Sequence, residues 1–255
     1  MKLTHNTKVK LLQGLAHIGA PVVLLFSWNL EYFLYSILAS WLILHVGVSV
    51  GLHRCFTHRS FIPKNKFILT SLHILSIINV LGSTIAWCGV HRSHHVHSDT
   101  EKDPHSPINI STFSRIKVFF NYWDEPYISP KMVMDLLKDP QHVFFHRNYF
   151  KILVSYMLIL AIIDIQLFLY GYLVVTALSL YWVSWITVGA HLIGTELPNS
   201  KDRSKNTYIM GLLMWGEGWH ANHHSNPSSA SFGWDGQPDI GKRLIDVIAK
   251  PSSIK

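Results

Sequence analysis

Three short clusters of histidine carry the chemistry of this sequence. They are His53-Arg54-Cys55-Phe56-Thr57-His58, His91-Arg92-Ser93-His94-His95, and His220-Ala221-Asn222-His223-His224, the last preceded by Gly216-Glu217-Gly218-Trp219. In the second and third clusters, positions i, i+3 and i+4 lie on one helical face, so three imidazoles point the same way. In the first, the i, i+5 spacing falls about 140° apart on an α-helix. His53 is therefore expected in the last turn of a helix, with His58 just beyond it. Eight imidazoles exceed the needs of one metal and suit two metals with four or five ligands each. Neutral imidazole serves Zn, Cu, Fe or Ni, so ligand type alone does not name the metal. A metal-bound histidine usually donates its other N–H to a carboxylate or carbonyl. Asp99, Glu101, Asp103, Glu196, Glu217 and Asp235 lie close to the clusters in sequence, and some are expected to serve. Trp215, Trp219 and Trp234 are candidates to line the site.

The elements that position these clusters are apolar. Hydrophobic residues make up 49% of the chain and charged residues only 15%, against about 25% charged in a typical soluble domain. Four stretches, about 11–27, 33–52, 150–170 and 172–194, approach the ~20 apolar residues needed to cross a bilayer. Asp164 lies inside the third, near its outer end. No Lys or Arg occurs between Lys10 and Arg54 or between Lys151 and Lys201, and the N-terminal, middle and C-terminal segments carry all 22 basic residues. The positive-inside rule then places those segments in the cytosol. The fold expected is an all-α integral membrane protein: four transmembrane helices under a cytosolic helical cap, 53–149 and 195–255, in one domain spanning 1–255. The first span is read as uncleaved. The net charge of +7 sits beside apolar spans, which suits an anionic membrane surface and not nucleic acid. Cys55 and Cys88 flank the clusters on the cytosolic side, where no disulfide is expected.

A fifth apolar stretch, 67–90, joins the first and second clusters. A single crossing would put them on opposite membrane faces, where they could not share a metal site. It is expected to be an in-plane or re-entrant helix pair, broken near Asn79, Gly82 and Ser83 and covered by protein at depth. The middle segment should hold short helices interrupted at Pro104, Pro107, Pro126, Pro130 and Pro140.

With these residues in view, the sequence resembles the membrane fatty-acyl desaturases, particularly those of the delta-9 type. The resemblance rests on the three clusters with Arg59-Ser60-Phe61, Ser98-Asp99-Thr100 and Asp103-Pro104-His105-Ser106-Pro107, and runs from the second span to about Trp234. It implies a centre of two iron ions, consumption of O2 and two electrons, and insertion of a cis double bond into a saturated acyl chain. It also implies a ninth ligand, His191. The ligand set is then His53, His58, His91, His94, His95, His191, His220, His223 and His224. Thr187 stands where the family often has a water-bridging Asn; with Asp99, Glu217 and Asn222 it is a candidate to orient a ligand or hold a water. Gly89-Val90 replaces the Arg-Asp pair that in animal enzymes helps bind CoA, which leaves a lipid, CoA or another carrier open. Ile37 and Trp41 lie ~18–24 Å before His53 along a helix and, with Trp219, are candidates to line the acyl tunnel.

The sequence contains no haem-attachment motif, iron–sulfur cysteine run or Gly-rich dinucleotide loop. Electrons are expected from outside, from a donor such as a ferredoxin or a b-type cytochrome, steered by the basic cytosolic face. A membrane di-iron hydroxylase would share these clusters and yield an alcohol. A non-enzymatic metal or haem carrier would place its ligands at mid-membrane, where only His17 and His45 lie.

Overall fold

Thr4 starts the first helix by accepting the Thr7 N–H at 3.1 Å, and α1 runs His5–Phe26 through Pro21. Asn29 caps α2 in the same way, through the Tyr32 N–H. This helix, Leu30–Thr57, continues unbroken for 28 residues. The computed structural model describes residues 3–108, 110–120 and 128–255, and among these it holds helices but no β-strand. The break expected at Pro126 lies outside the described residues.

After α2 come α3 (Lys66–Ile78), α4 (Thr84–His97), α5 (Thr112–Phe119), α6 (Met134–Lys138), α7 (Pro140–Arg147) and α8 (Tyr149–Ile163). Then follow the long α9 (Ile165–Leu192), α10 (Tyr208–Leu213), α11 (His220–Ser225) and α12 (Ile240–Ile248). Among the described residues, three helices, α1, α2 and α9, are long and apolar enough to cross a membrane. A fourth span results if α7 and α8, bent by 57°, count as one. Their outward faces are apolar: Ile18 is 71% exposed, Phe26 82% and Ile162 82%. Water would penalise such faces and lipid would not, so this is a membrane protein.

Two boundaries differ from the sequence expectation. The third apolar stretch ends, as α8, at Ile163, and Asp164 is extended (φ −162°, ψ 130°) and caps α9 by accepting the Gln166 N–H at 2.9 Å. The turn therefore lies at Asp164 and not near Gly171. The Tyr32 hydroxyl donates to the same carboxylate at 2.7 Å. Gly171 is helical, and its carbonyl accepts the Tyr156 hydroxyl of α8 at 2.9 Å. Hydropathy does not distinguish a capping Asp between two apolar helices from an Asp buried within one.

The 67–90 stretch is a helix, a break and a helix. Val80 (φ 56°) and Gly82 (φ 99°) adopt left-handed backbone between α3 and α4. Gln13 of α1 donates to the freed Val80 carbonyl at 2.8 Å, and the Ser83 hydroxyl caps α4. The stretch folds back, because the histidines at its two ends meet in one cluster. The C-terminal segment closes the opposite side: the Lys255 N–H donates to Ser60 O and the Lys250 N–H to Ile62 O.

Candidate metal centre

The last half of α2, from His45 to Thr57, is wound as a π-helix. Its hydrogen bonds run i→i+5, as the His58 N–H to His53 O bond of 3.1 Å illustrates. His53 and His58 are one π turn apart, and their ring centroids approach to 5.0 Å. The spacing that an α-helix splays by about 140° is brought together by the wider winding. Polar side chains meet carbonyls along this stretch: Asn79 donates to Ile43 O (3.1 Å), Ser76 to Gly47 O (2.8 Å) and Thr57 to Leu52 O (2.7 Å).

Helix α4 contributes His91, His94 and His95, the last turn of α9 contributes His191, and α11 contributes His220, His223 and His224. Their ring nitrogens form two groups, each within 4.8 Å: His53, His58, His91, His95 and His223 in one, His94, His191, His220 and His224 in the other. In the first, Nε2 of His223 lies 2.9 Å from Nε2 of both His53 and His95, and His95 lies 3.0 Å from His91. In the second, the Nε2 atoms of His191 and His220 are 3.2 Å apart. Two nitrogens at right angles, each about 2.1 Å from a metal, would be about 3.0 Å apart. Nε2 of His58 and Nε2 of His224 are buried without any hydrogen-bond partner.

Four carboxylates fix the tautomers. Nδ1–H of His53 donates to Glu217 (2.8 Å), that of His94 to Asp103 (2.8 Å), that of His191 to Asp99 (3.1 Å) and that of His224 to Asp202 (2.7 Å). Each Nε2 is left bare toward its group. Facing lone pairs at these distances fit a pair of transition metals. The smaller grouping of His94, Asp103 and His105 needs no ion, because the His94–Asp103 hydrogen bond accounts for it.

Burial pushes His58, His91, His94, His95, His220 and His223 well below the ordinary imidazole value, so they are neutral at pH 7, the form in which an imidazole can bind a metal. Burial alone would raise Glu217, but its contacts with His53, Arg54 and Ser49 outweigh that and hold it below the usual carboxylate range. Asp202 is lowered in the same way by His224 and Ser204.

The arginines inside the clusters are fasteners. Arg54, fully buried, donates to Ser49, the Trp215 carbonyl and Asp239, tying α2 to the cap of α12. Arg92 donates to the Phe56 and Thr57 carbonyls at the end of α2 (both 3.0 Å) and grips Asp135 with two bonds.

A cavity of about 490 Å³ opens beside the centre. Its walls include His53, His91, His94, His191 and His220, and the apolar side chains of Leu44, Val48, Ile85, Val90, Val183 and Ile186. A profile of the fatty acid desaturase family matches residues 26–249. The chain belongs to that family. The desaturase is 30% identical over 221 residues to the sn-1 stearoyl-lipid 9-desaturase of Anabaena variabilis, covering 85% of this chain and 80% of that one. It is 31% identical over 213 residues to the protein of the same name from Synechocystis sp., covering 82% and 65%. It is 28% identical over 218 residues to the sn-2 palmitoyl-lipid 9-desaturase of a Nostoc species, covering 82% and 74%. The protein is accordingly an oxidoreductase, a fatty acid desaturase of lipid metabolism.

Other sequence candidates fall in various places on the desaturase. Thr187 lines the cavity near His191. Asn222 faces away from the centre: its amide donates to Phe232 O and Gln237, and its oxygen accepts from Asn206. Glu196 pairs with Lys205, and Glu101 and Asp235 are exposed. Trp219 buries its ring over Gly211, where a Cβ would sit 2.4 Å from the indole, and donates to Pro238 O. Trp234 is exposed. Ile37 faces outward, and Trp41 lies behind His45 with its indole N–H on Leu213 O; neither lines the cavity. Two contributors carried no sequence signal: Asp202, 22 residues before its histidine, and Asn206, whose Oδ1 accepts the Ala221 and Asn222 N–H groups that start α11.

Proposed function

We propose that the desaturase uses two iron ions and O2 to insert a cis double bond, at the delta-9 position, into a saturated acyl chain carried on a membrane lipid. The observation that carries this reading is the pair of buried histidine groups opening onto an apolar cavity. His53, His58, His91, His95 and His223 would hold one ion, and His94, His191, His220 and His224 the other. When bound, the two metals would supply the oxygen activation that an unactivated C–H bond requires. The net reaction consumes one O2, two electrons and two protons, and releases two waters for each double bond formed.

The chain's own residues do the rest. Glu217, Asp103, Asp99 and Asp202 hold the imidazoles in the tautomer that aims Nε2 inward. Leu44, Val48, Ile85 and Ile186 hold the alkyl chain and keep water from it. The Thr187 hydroxyl would hold a water beside the four-histidine group. The lipid carrier and the delta-9 position follow the names of the relatives, and Gly89-Val90 agrees by lacking the charged pair associated with CoA. By the positive-inside rule the protein crosses the membrane four times, with both termini and the centre cytosolic and the α3–α4 pair lying in or dipping into that face. A ferredoxin or b-type cytochrome supplies the electrons.

The test is expression in a host lacking its own desaturase, with fatty acids profiled by double-bond position within each lipid class. A new delta-9 product, absent in His94→Ala, is expected. A hydroxylated product would assign the protein to the hydroxylases. No oxidised product from iron-loaded protein supplied with electrons would overturn the reading.

A further inference from the structure

The cavity does not end on hydrocarbon alone. Along α2 its wall passes from His53 to Ser49 and Val48, and then to His45 and Leu44. His45 is fully buried. Its Nδ1 lies 2.5 Å from the Trp41 carbonyl oxygen. A carbonyl only accepts, so Nδ1 carries the proton and Nε2 is a bare acceptor. That Nε2 is buried and has no hydrogen-bond partner. One ring face is covered by Trp215, stacked with centroids 5.3 Å apart at 21°. The Trp215 indole N–H is also buried without a partner. The Ser49 hydroxyl is committed to Glu217 and the Trp41 indole to Leu213 O.

An unmet acceptor on His45, inside a membrane span, and an unmet donor on the ring stacked against it are costly to leave bare. A hydroxyl entering from the cavity can donate to the His45 acceptor. His45 is eight residues before His53 in the π-wound stretch, roughly 9 Å along the helix, since the wider winding rises less per residue than an α-helix. The site thus lies well beyond the carbons that react.

We propose that the cavity wall at His45, whose ring Trp215 backs, is a binding site for a hydroxyl group on the distal part of the acyl chain. The inference rests on the desaturase reading, and it makes hydroxylated acyl chains preferred substrates over plain ones. A plain alkyl end would leave the imidazole unanswered, and a hydroxyl would restore one hydrogen bond, worth about tenfold in affinity.

Two measurements test it. Purified protein in detergent is titrated with stearate and with stearates hydroxylated at successive distal positions, reading displacement of a fluorescent fatty acid. The same acids are fed to the desaturase-lacking host, and product ratios are taken. About tenfold preference for one hydroxylated isomer is expected, collapsing in His45→Leu and partly kept in His45→Gln, whose amide retains an acceptor. Equal binding of plain and hydroxylated chains, or a preference that His45→Leu leaves intact, would overturn the inference; the site would then hold a buried water only. The binding arm decides the matter even without turnover, whereas absence of product from every acid would count against the desaturase reading instead.

Discussion

Glu217→Gln is the most direct probe of the centre. The side chain keeps its shape and loses its charge. In the native protein the carboxylate accepts Nδ1–H of His53 at 2.8 Å and the Ser49 hydroxyl at 2.5 Å, and faces Arg54 at 3.7 Å, with 3% of its side chain exposed. An amide can still accept from His53, but it no longer favours a strong donor there, and His53 becomes a weaker ligand. Arg54 keeps Asp239 as its counter-charge, so the scaffold should hold. Partners of this kind typically govern about 10–100-fold in metal affinity, or roughly 1.4–2.7 kcal/mol. The assay is iron content per chain after equilibration with a graded series of chelator, with Mössbauer spectra to separate the two sites. One iron should leave Glu217→Gln at roughly 10–100-fold lower chelator strength, while the second stays. Identical chelator curves for variant and wild type would refute the assignment of Glu217 as the group that orients His53.

Asp202→Asn should do the same for the other site, releasing the iron proposed for His94, His191, His220 and His224 and sparing the first; loss of the same iron in both variants would contradict the two-group division. Arg92→Ala removes charge-assisted bonds to Phe56 O, Thr57 O and Asp135, and should lower stability by about 3 kcal/mol, or roughly 6–12 °C, in detergent melts. The metal-free protein should lose stability as pH falls below 6.5, the ordinary imidazole value from which burial depresses the ligand histidines. The sign follows from linkage: the unfolded chain binds more protons than the folded one below that pH, so stability declines toward about pH 5 and is level above about pH 7.5. Melting curves of chelator-stripped protein across that range would check it, and a flat profile would argue against burial of neutral imidazoles.

Much of the fold and of the centre is legible in the sequence, for identifiable physical reasons. The i, i+3, i+4 spacing in α4 and α11 is a property of helix geometry, and the spread of basic residues tracks the ends of the apolar helices. The return of the 67–90 stretch follows from requiring its two flanking clusters to meet. What stays hidden depends on contacts distant in sequence. Asp202 reaches His224 from a loop, and Asn206 caps α11 from outside it. Distance along the helix points to Trp41 as a floor of the cavity, but His45 stands in front of it. The turn at Asp164 is masked because capping leaves no mark in hydropathy.

The π winding of α2 has a consequence for how this protein can change. Such a helix stores one extra residue per turn relative to its α-wound neighbours, so it behaves as a slack loop of rope within a taut line. Deleting one residue between His45 and His53 need not break the helix. Taken up as an α turn, the deletion would leave the upstream residues facing much as they do now; with the π winding kept, it would turn them by roughly 80° relative to the centre, swinging the floor of the cavity away while the histidines stayed at their posts. Related winding recurs at 169–174 and 185–189 of α9, on the stretch that leads to His191. Insertion and deletion of single residues, rather than substitution alone, is thus a route by which this scaffold can reshape its cavity and keep its centre.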